Sequence, residues 1–151
     1  MSDDTTTPPS RLPALSPISC VRERDRRDLD QRLVEWGVDV VELDGSNIAD
    51  EETFRDAVGS QLPMPGDLTP GNWSALTDCL HQLFIDRGAP RAALIWTHPE
   101  VLIGGDLQGF LTATNVLSGL VSTLYRVDQI EMHVFLVGPG AGYRALDDIV
   151  D

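Results

Sequence analysis

The sequence predicts an α/β domain, with a small sheet of three or four parallel strands packed against helices. Three features predict it. Strand-like and helix-like stretches alternate along the chain, the pattern of parallel strands joined by helical crossovers. Ala92–Trp96 is short and continuously apolar, as suits a strand covered on both faces. Leu107, Phe110, Leu111, Leu117, Leu120, Val121 and Leu124 recur at helical steps, the signature of one long amphipathic helix.

Met1–Pro17 is rich in Ser, Thr, Pro and Asp and has little to bury, so it is expected to be a disordered tail. Ile18–Val21 reads as a short strand. Glu23–Trp36 reads as a helix with Leu29, Leu33 and Trp36 on one face, and Gly37 is placed to end it in the left-handed conformation. These residues, 18–37, form an extra strand-and-helix unit ahead of a core spanning 38–137. Val38–Leu43 is the next strand, turned by Asp44-Gly45. Asp50 caps a helix whose first turn carries Glu51 and Glu52, where the helix dipole favours acids. Pro63 and Pro65 end that helix. After Ala92–Trp96, the segment Thr97–Gly105 reads as a loop, because His98-Pro99 and a Gly pair punctuate it. Asp106 to Arg126 is the long helix and Ile130–Val137 the last strand. Residues 138–151 form an acidic tail closed by Asp147, Asp148 and Asp151.

Composition narrows the function. A chain of 151 residues with 42% apolar content is large enough for one domain with its own core. Eleven basic residues, every one of them Arg, stand against twenty-four acidic ones, for a net charge of −13. That charge disfavours phosphate backbones and anionic membranes and favours a basic partner. Two cysteines, Cys20 and Cys79, do not make a disulfide framework. No secretory signal or membrane-length apolar run is visible, so the expected location is the cytoplasm, with both thiols reduced.

The organising stretch is Leu68–Phe84, LTPGNWSALTDCLHQLF. Pro70 and Gly71 form a tight loop, and Asn72 can cap the helix that follows. Trp73, Leu76, Leu80 and Leu83 share one face, while Ser74, Thr77, Asp78, His81 and Gln82 fall on the other. An outward carboxylate on such a helix is ordinarily only solvated surface. The wider pattern adds meaning. A strand ending in Leu43-Asp44-Gly45 is followed by a helix bearing Phe54, Ala57 and Val58, by a proline turn at Leu62–Pro65, and by G-N-W-x-A-L-x-D-C-L from Gly71 to Leu80. This run resembles the barstar family of ribonuclease inhibitors, over roughly Val38 to Val137.

The resemblance implies a barstar-like fold and a job: an immunity protein that binds and blocks a basic ribonuclease toxin, and that is monomeric when free. It also implies a site. Asp78 matches the carboxylate that takes the place of a substrate phosphate, and the loop residues Leu68 and Thr69 flank it. Ser74, Thr77, His81 and Gln82 share its face, and Asp128 roughly matches an acidic rim position. Four positions depart from the family pattern. Ser74 stands where a second Asp is common, Leu68 and Thr69 replace loop aromatics, and Thr77 replaces an aromatic on the helix.

Other chemistries are poorly supplied, so no catalytic, metal or cofactor residue is assigned. His81 is one turn from Asp78 and could be oriented by it, which would make Ser74, Asp78 and His81 a candidate hydrolytic set. Ser74, however, is seven residues from His81 and lacks a strained elbow. His98 has no evident partner in the sequence, and His133 sits in a strand pattern. No His, Cys or carboxylate group has zinc-ligand spacing. Gly138–Gly142 follows a strand but lacks the helix and second strand that a dinucleotide fingerprint needs. The remaining alternative is a barstar-like interaction module with a non-nuclease partner.

Overall fold

The structure, a computed structural model, describes residues 17–64 and 70–139. Four parallel strands are formed: β1 (Ile18–Arg22), β2 (Asp39–Asp44), β3 (Arg91–Thr97) and β4 (Glu131–Gly138). They lie in the order β1-β4-β3-β2. The helices are α1 (Arg26–Glu35), α2 (Glu51–Gln61), α3 (Trp73–Arg87), α4 (Glu100–Gly105) and α5 (Leu107–Asp128). A short 3-10 turn, Glu23–Asp25, precedes α1.

The strand order explains why both sheet faces are covered. β2, β3 and β4 step across the sheet in one direction, and the crossover from β1 to β2 runs the opposite way. Crossovers of the same right hand then put α1 on the face opposite to α2–α5. The cores follow this division. Val41 and Leu43, Leu94 and Trp96, and Val134 and Leu136 point into the large core with α2, α3, α4 and α5. The intervening Ala93, Ile95, Phe135 and Val137 point the other way, onto Leu29 and Leu33 of α1, with Val21 of β1 joining them. This two-sided burial accounts for the unbroken apolar runs in β3 and β4. The expected extra unit is therefore an edge strand and a second helical layer.

Local signals in the sequence operate as expected. Asp50 Oδ1 accepts from Thr53 N at 2.8 Å, and Thr53 Oγ1 accepts from Asp50 N at 3.0 Å, a complete capping box. Gly37 and Gly88 both have positive φ, 69° and 70°, and each follows a helix end. Gly45 is needed for space: a Cβ there would lie 2.4 Å from the Thr97 carbonyl oxygen. The free edge of β2 is closed at its end by Gln61. Its side-chain oxygen accepts from Asp44 N at 2.7 Å, and its amide donates to Asp44 O at 3.0 Å. Such a cover hinders pairing with a foreign strand.

Three expectations need correction. Thr97–Gly105 is not all loop, because Glu100–Gly105 forms α4. Its six residues are too few to show a periodic pattern among Pro and Gly, but burying Leu102 completely stabilises the turn. In α5, Leu107 and Leu111 are not on the core stripe: they are 56% and 51% exposed. At 100° per residue they sit roughly 100° and 140° from the centre of the line through Phe110, Ala113, Leu117, Leu120 and Leu124. The last strand also extends one residue further than expected, to Gly138.

Candidate functional site

α3 is fixed at both ends and along its inner face. At its start, Asn72 Oδ1 accepts from Ala75 N at 2.8 Å. Next to this cap, the Trp73 indole donates to Glu51 Oε1 at 2.7 Å, and its ring centroid is 5.7 Å from that of Phe54. The Arg55 guanidinium lies over the same ring at 5.6 Å, close enough for a cation–π contact. The sequence placed Trp73 in the buried stripe; it is half-buried and docks the start of α3 onto α2. At the far end Gly88 closes the helix, and Arg87 Nη2 donates to Asp39 Oδ1 at 2.8 Å. That bond holds the Arg87 guanidinium above its usual range. Between the ends Leu76, Leu80, Leu83 and Phe84 are buried.

The opposite face carries the α3 residues expected to form the site. Asp78 is exposed and makes no hydrogen bond or ion pair with any other described residue. Ser74, one turn earlier, and Gln82, one turn later, are exposed too. Gln82 turns along the helix and donates to Asp86 Oδ1 at 2.7 Å. Thr77 is half-buried and spends its hydroxyl proton on the Trp73 carbonyl at 2.9 Å. It adds little reach to the surface. Leu68 and Thr69 lie outside the described residues.

His81 and Asp128 are brought together, with His81 Nε2 2.7 Å from Asp128 Oδ2. The i, i+3 pairing of His81 with Asp78 does not form, because the imidazole reaches across to the end of α5 instead. Ser74 and His81 stand about 10 Å apart along the helix axis. The three residues of the hydrolytic set are thus not assembled.

One further exposed residue of this face is not singled out by the sequence. Ile85, seven residues beyond Asp78 and so on the same line of α3, is 37% exposed. It borders a groove of about 370 Å3 shared with Asp128 and the Gly88–Pro90 turn. The periodicity contained this signal, but an isoleucine at that step reads as core. The candidate site is a ridge bearing Ser74, Asp78 and Ile85 beside a groove whose acidic wall is Asp128.

The other reactive groups do not extend it. Cys20 and Cys79 are free thiols, both raised in pKa by burial, which makes them poor nucleophiles. His98 has a positive φ of 54° and sits 3.2 Å from Glu100 Oε2, a partner supplied by α4. His133 is buried in β4, as its strand pattern implied, with its ring 6.4 Å from that of Phe135. Among the described residues no group of three His, Cys, Asp or Glu side chains could hold a metal ion. No described helix is long and apolar enough to cross a membrane.

Comparison with known proteins gives one finding. The family model described as Barstar (barnase inhibitor) matches residues 38–137. No curated protein and no solved structure matches the chain. The matched span runs from the residue before β2 to the penultimate residue of β4 and contains all of α3.

Proposed function

The chain belongs to the barstar family of barnase inhibitors, and from that premise we propose that it binds and blocks the active site of a ribonuclease toxin. The outer face of α3 is the docking surface. Asp78 enters the enzyme's basic cleft and takes the place of an RNA phosphate. The observation that carries this reading is Asp78 itself, an exposed carboxylate with no described partner on a helix pinned at both ends. A preorganised anion loses little entropy on docking, and a desolvated charge pair across an interface supplies specificity and fast association. The net charge of −13 steers a basic partner towards it. Ser74, Gln82 and Ile85 extend the contact, and Asp128 forms its rim. The inhibitor works in the cytoplasm of the cell that makes the toxin and protects it before export.

Isothermal titration against basic, barnase-like ribonucleases tests the reading. We expect 1:1 binding, loss of RNA cleavage in the complex, and strong weakening by Asp78→Ala. Binding indifferent to Asp78→Ala would remove α3 from the interface. Failure of every such nuclease to bind would favour a non-nuclease partner, a reading that Ser74 and Thr77 supply with one observation. Where the family pattern has a carboxylate and an aromatic, this face has two small hydroxyl side chains, one of them turned to its own backbone.

A further inference from the structure

Asp78 uses one face of one helix, and a second surface lies on α5. This helix contains no charged residue between Asp106 and Arg126, in a chain whose net charge is −13. Its outward side is nonetheless exposed. At the N-terminal end Leu107 and Leu111 stand out into solvent, and Ile103 of α4, four residues ahead of Leu107 in sequence, is 37% exposed. At the C-terminal end there is a groove of about 320 Å3, lined from α5 by Ser118, Val121, Ser122 and Tyr125 and from the sheet side by Pro17, Met132 and the polar Glu131 and His133.

The apolar knobs and the groove share one side of the helix. Leu107 and Tyr125 are eighteen residues apart in sequence, which is about five full turns, so they lie on one line roughly 27 Å long. Leu111, Ser118 and Ser122 fall within about 60° of that line. A two-fold axis through its midpoint, near Val116, sets Leu107 of one copy against Tyr125 of the other. It sets Leu111 against Val121, and Thr114 against Ser118. Each end then supplies what the opposite end lacks, the self-complementarity that an isologous interface requires.

We propose that this face binds a second copy of the chain, through antiparallel packing of two α5 helices that seats Leu107 and Leu111 of each in the groove of the other. Charge argues for this occupant. Two chains of −13 repel one another wherever their acidic surfaces meet, and the uncharged stretch of α5 permits close approach. A basic partner, by contrast, meets only one acid here, Glu131 at the groove wall, and that carboxylate is 11% exposed and already 3.5 Å from Arg91 Nε. Charge depletion with apolar and aromatic anchors is also what distinguishes an interface centre from ordinary surface. Two helices touching over five turns fall near the small end of specific interfaces, below about 1,200 Å2, so the association is weak, in the micromolar range.

Sedimentation velocity on the full chain from about 5 to about 500 µM, the range in which a small interface assembles, tests the proposal. The mass should rise from 16.5 kDa towards twice that value. Leu107→Asp and Leu111→Asp should each weaken the association by more than about tenfold. Both positions are solvent-exposed, so the far-ultraviolet circular dichroism should not change. Val34→Asp, at an apolar α1 position that is 78% exposed, should leave the dimer intact. A monomer throughout the range overturns the proposal, as does a dimer indifferent to both α5 variants. Association seen only after removal of residues 1–16 also overturns it, since the chain's own N-terminal segment would then be the occupant.

Discussion

His81 Nε2 lies 2.7 Å from Asp128 Oδ2, and this contact joins the middle of α3 to the last residue of α5. It places an acidic group at the edge of the Asp78 ridge and holds it there. The two side chains are 31% and 23% exposed, so water screens the pair and its contribution to stability is about 0–1 kcal/mol. His81→Ala and Asp128→Asn should each lower the urea-unfolding free energy by no more than about 1 kcal/mol. The double variant should cost less than their sum, because each single change removes the same contact. Strict additivity would show that the two side chains act independently in solution.

Asp78→Asn should leave stability within about 0.5 kcal/mol of the parent, since the group is exposed and makes no described bond. Its effect on binding a basic ribonuclease should be far larger, about 2–5 kcal/mol or more, a range to which complexes of this family themselves contribute. Rising salt should slow association. Ser74→Asp restores the second carboxylate of the family pattern and should speed association at low salt. A slower rate for that variant would mean that the ridge meets a surface that is not basic.

Removing residues 1–37 should not leave a functional core. α1 covers Ala93, Ile95, Phe135 and Val137 through Leu29 and Leu33, all five of the larger of these side chains being almost wholly inaccessible. Stripping that layer exposes a flat apolar sheet face, an aggregation hazard. The truncated chain should precipitate or lose its cooperative transition. Leu33→Ala, a milder version of the same change, should cost about 2–5 kcal/mol by urea unfolding. A soluble, cooperatively folding truncation would show that the second layer is dispensable.

Asp50 predicts the sign of one pH effect. The Thr53 N–H bonded to its carboxylate holds Asp50 below its ordinary aspartate pKa, with the Thr53 hydroxyl helping. A group depressed on folding stabilises the fold at pH values above its unfolded pKa, about 3.9. That stabilisation disappears as pH falls through the lower folded value. The stability gap between the parent and Asp50→Asn should therefore be constant from pH 7 to about 5 and shrink below about 4. A gap that widens in acid would show that the cap bond is absent.

What the sequence revealed was mostly short-range. The caps at Asp50 and Asn72, the left-handed Gly37 and the alternation of strands with helices all depend on neighbours within a few residues, and all appear in the structure. Asp78 could be placed on an outward face for the same reason. The misses have a different origin. α4 is too short to show a period, and the long apolar pattern of α5 hid the fact that Leu107 and Leu111 lie off its core line. The links from His81 to Asp128 and from Arg87 to Asp39 each span more than forty residues, and no local rule brings those ends together. Which sheet face α1 would cover follows from strand order, and strand order is not a local property.

Among the described strands β1 hydrogen-bonds only to β4, so the first of them finds its neighbour in the last. During synthesis Ile18–Arg22 emerges early and must wait until Glu131–Gly138 has left the ribosome. A pairing of such long separation is slow to form and leaves apolar strands uncovered in the interval. Maturation of the sheet is therefore tied to synthesis of β4, and a nascent chain that stops before Glu131 lacks the strand with which β1 pairs.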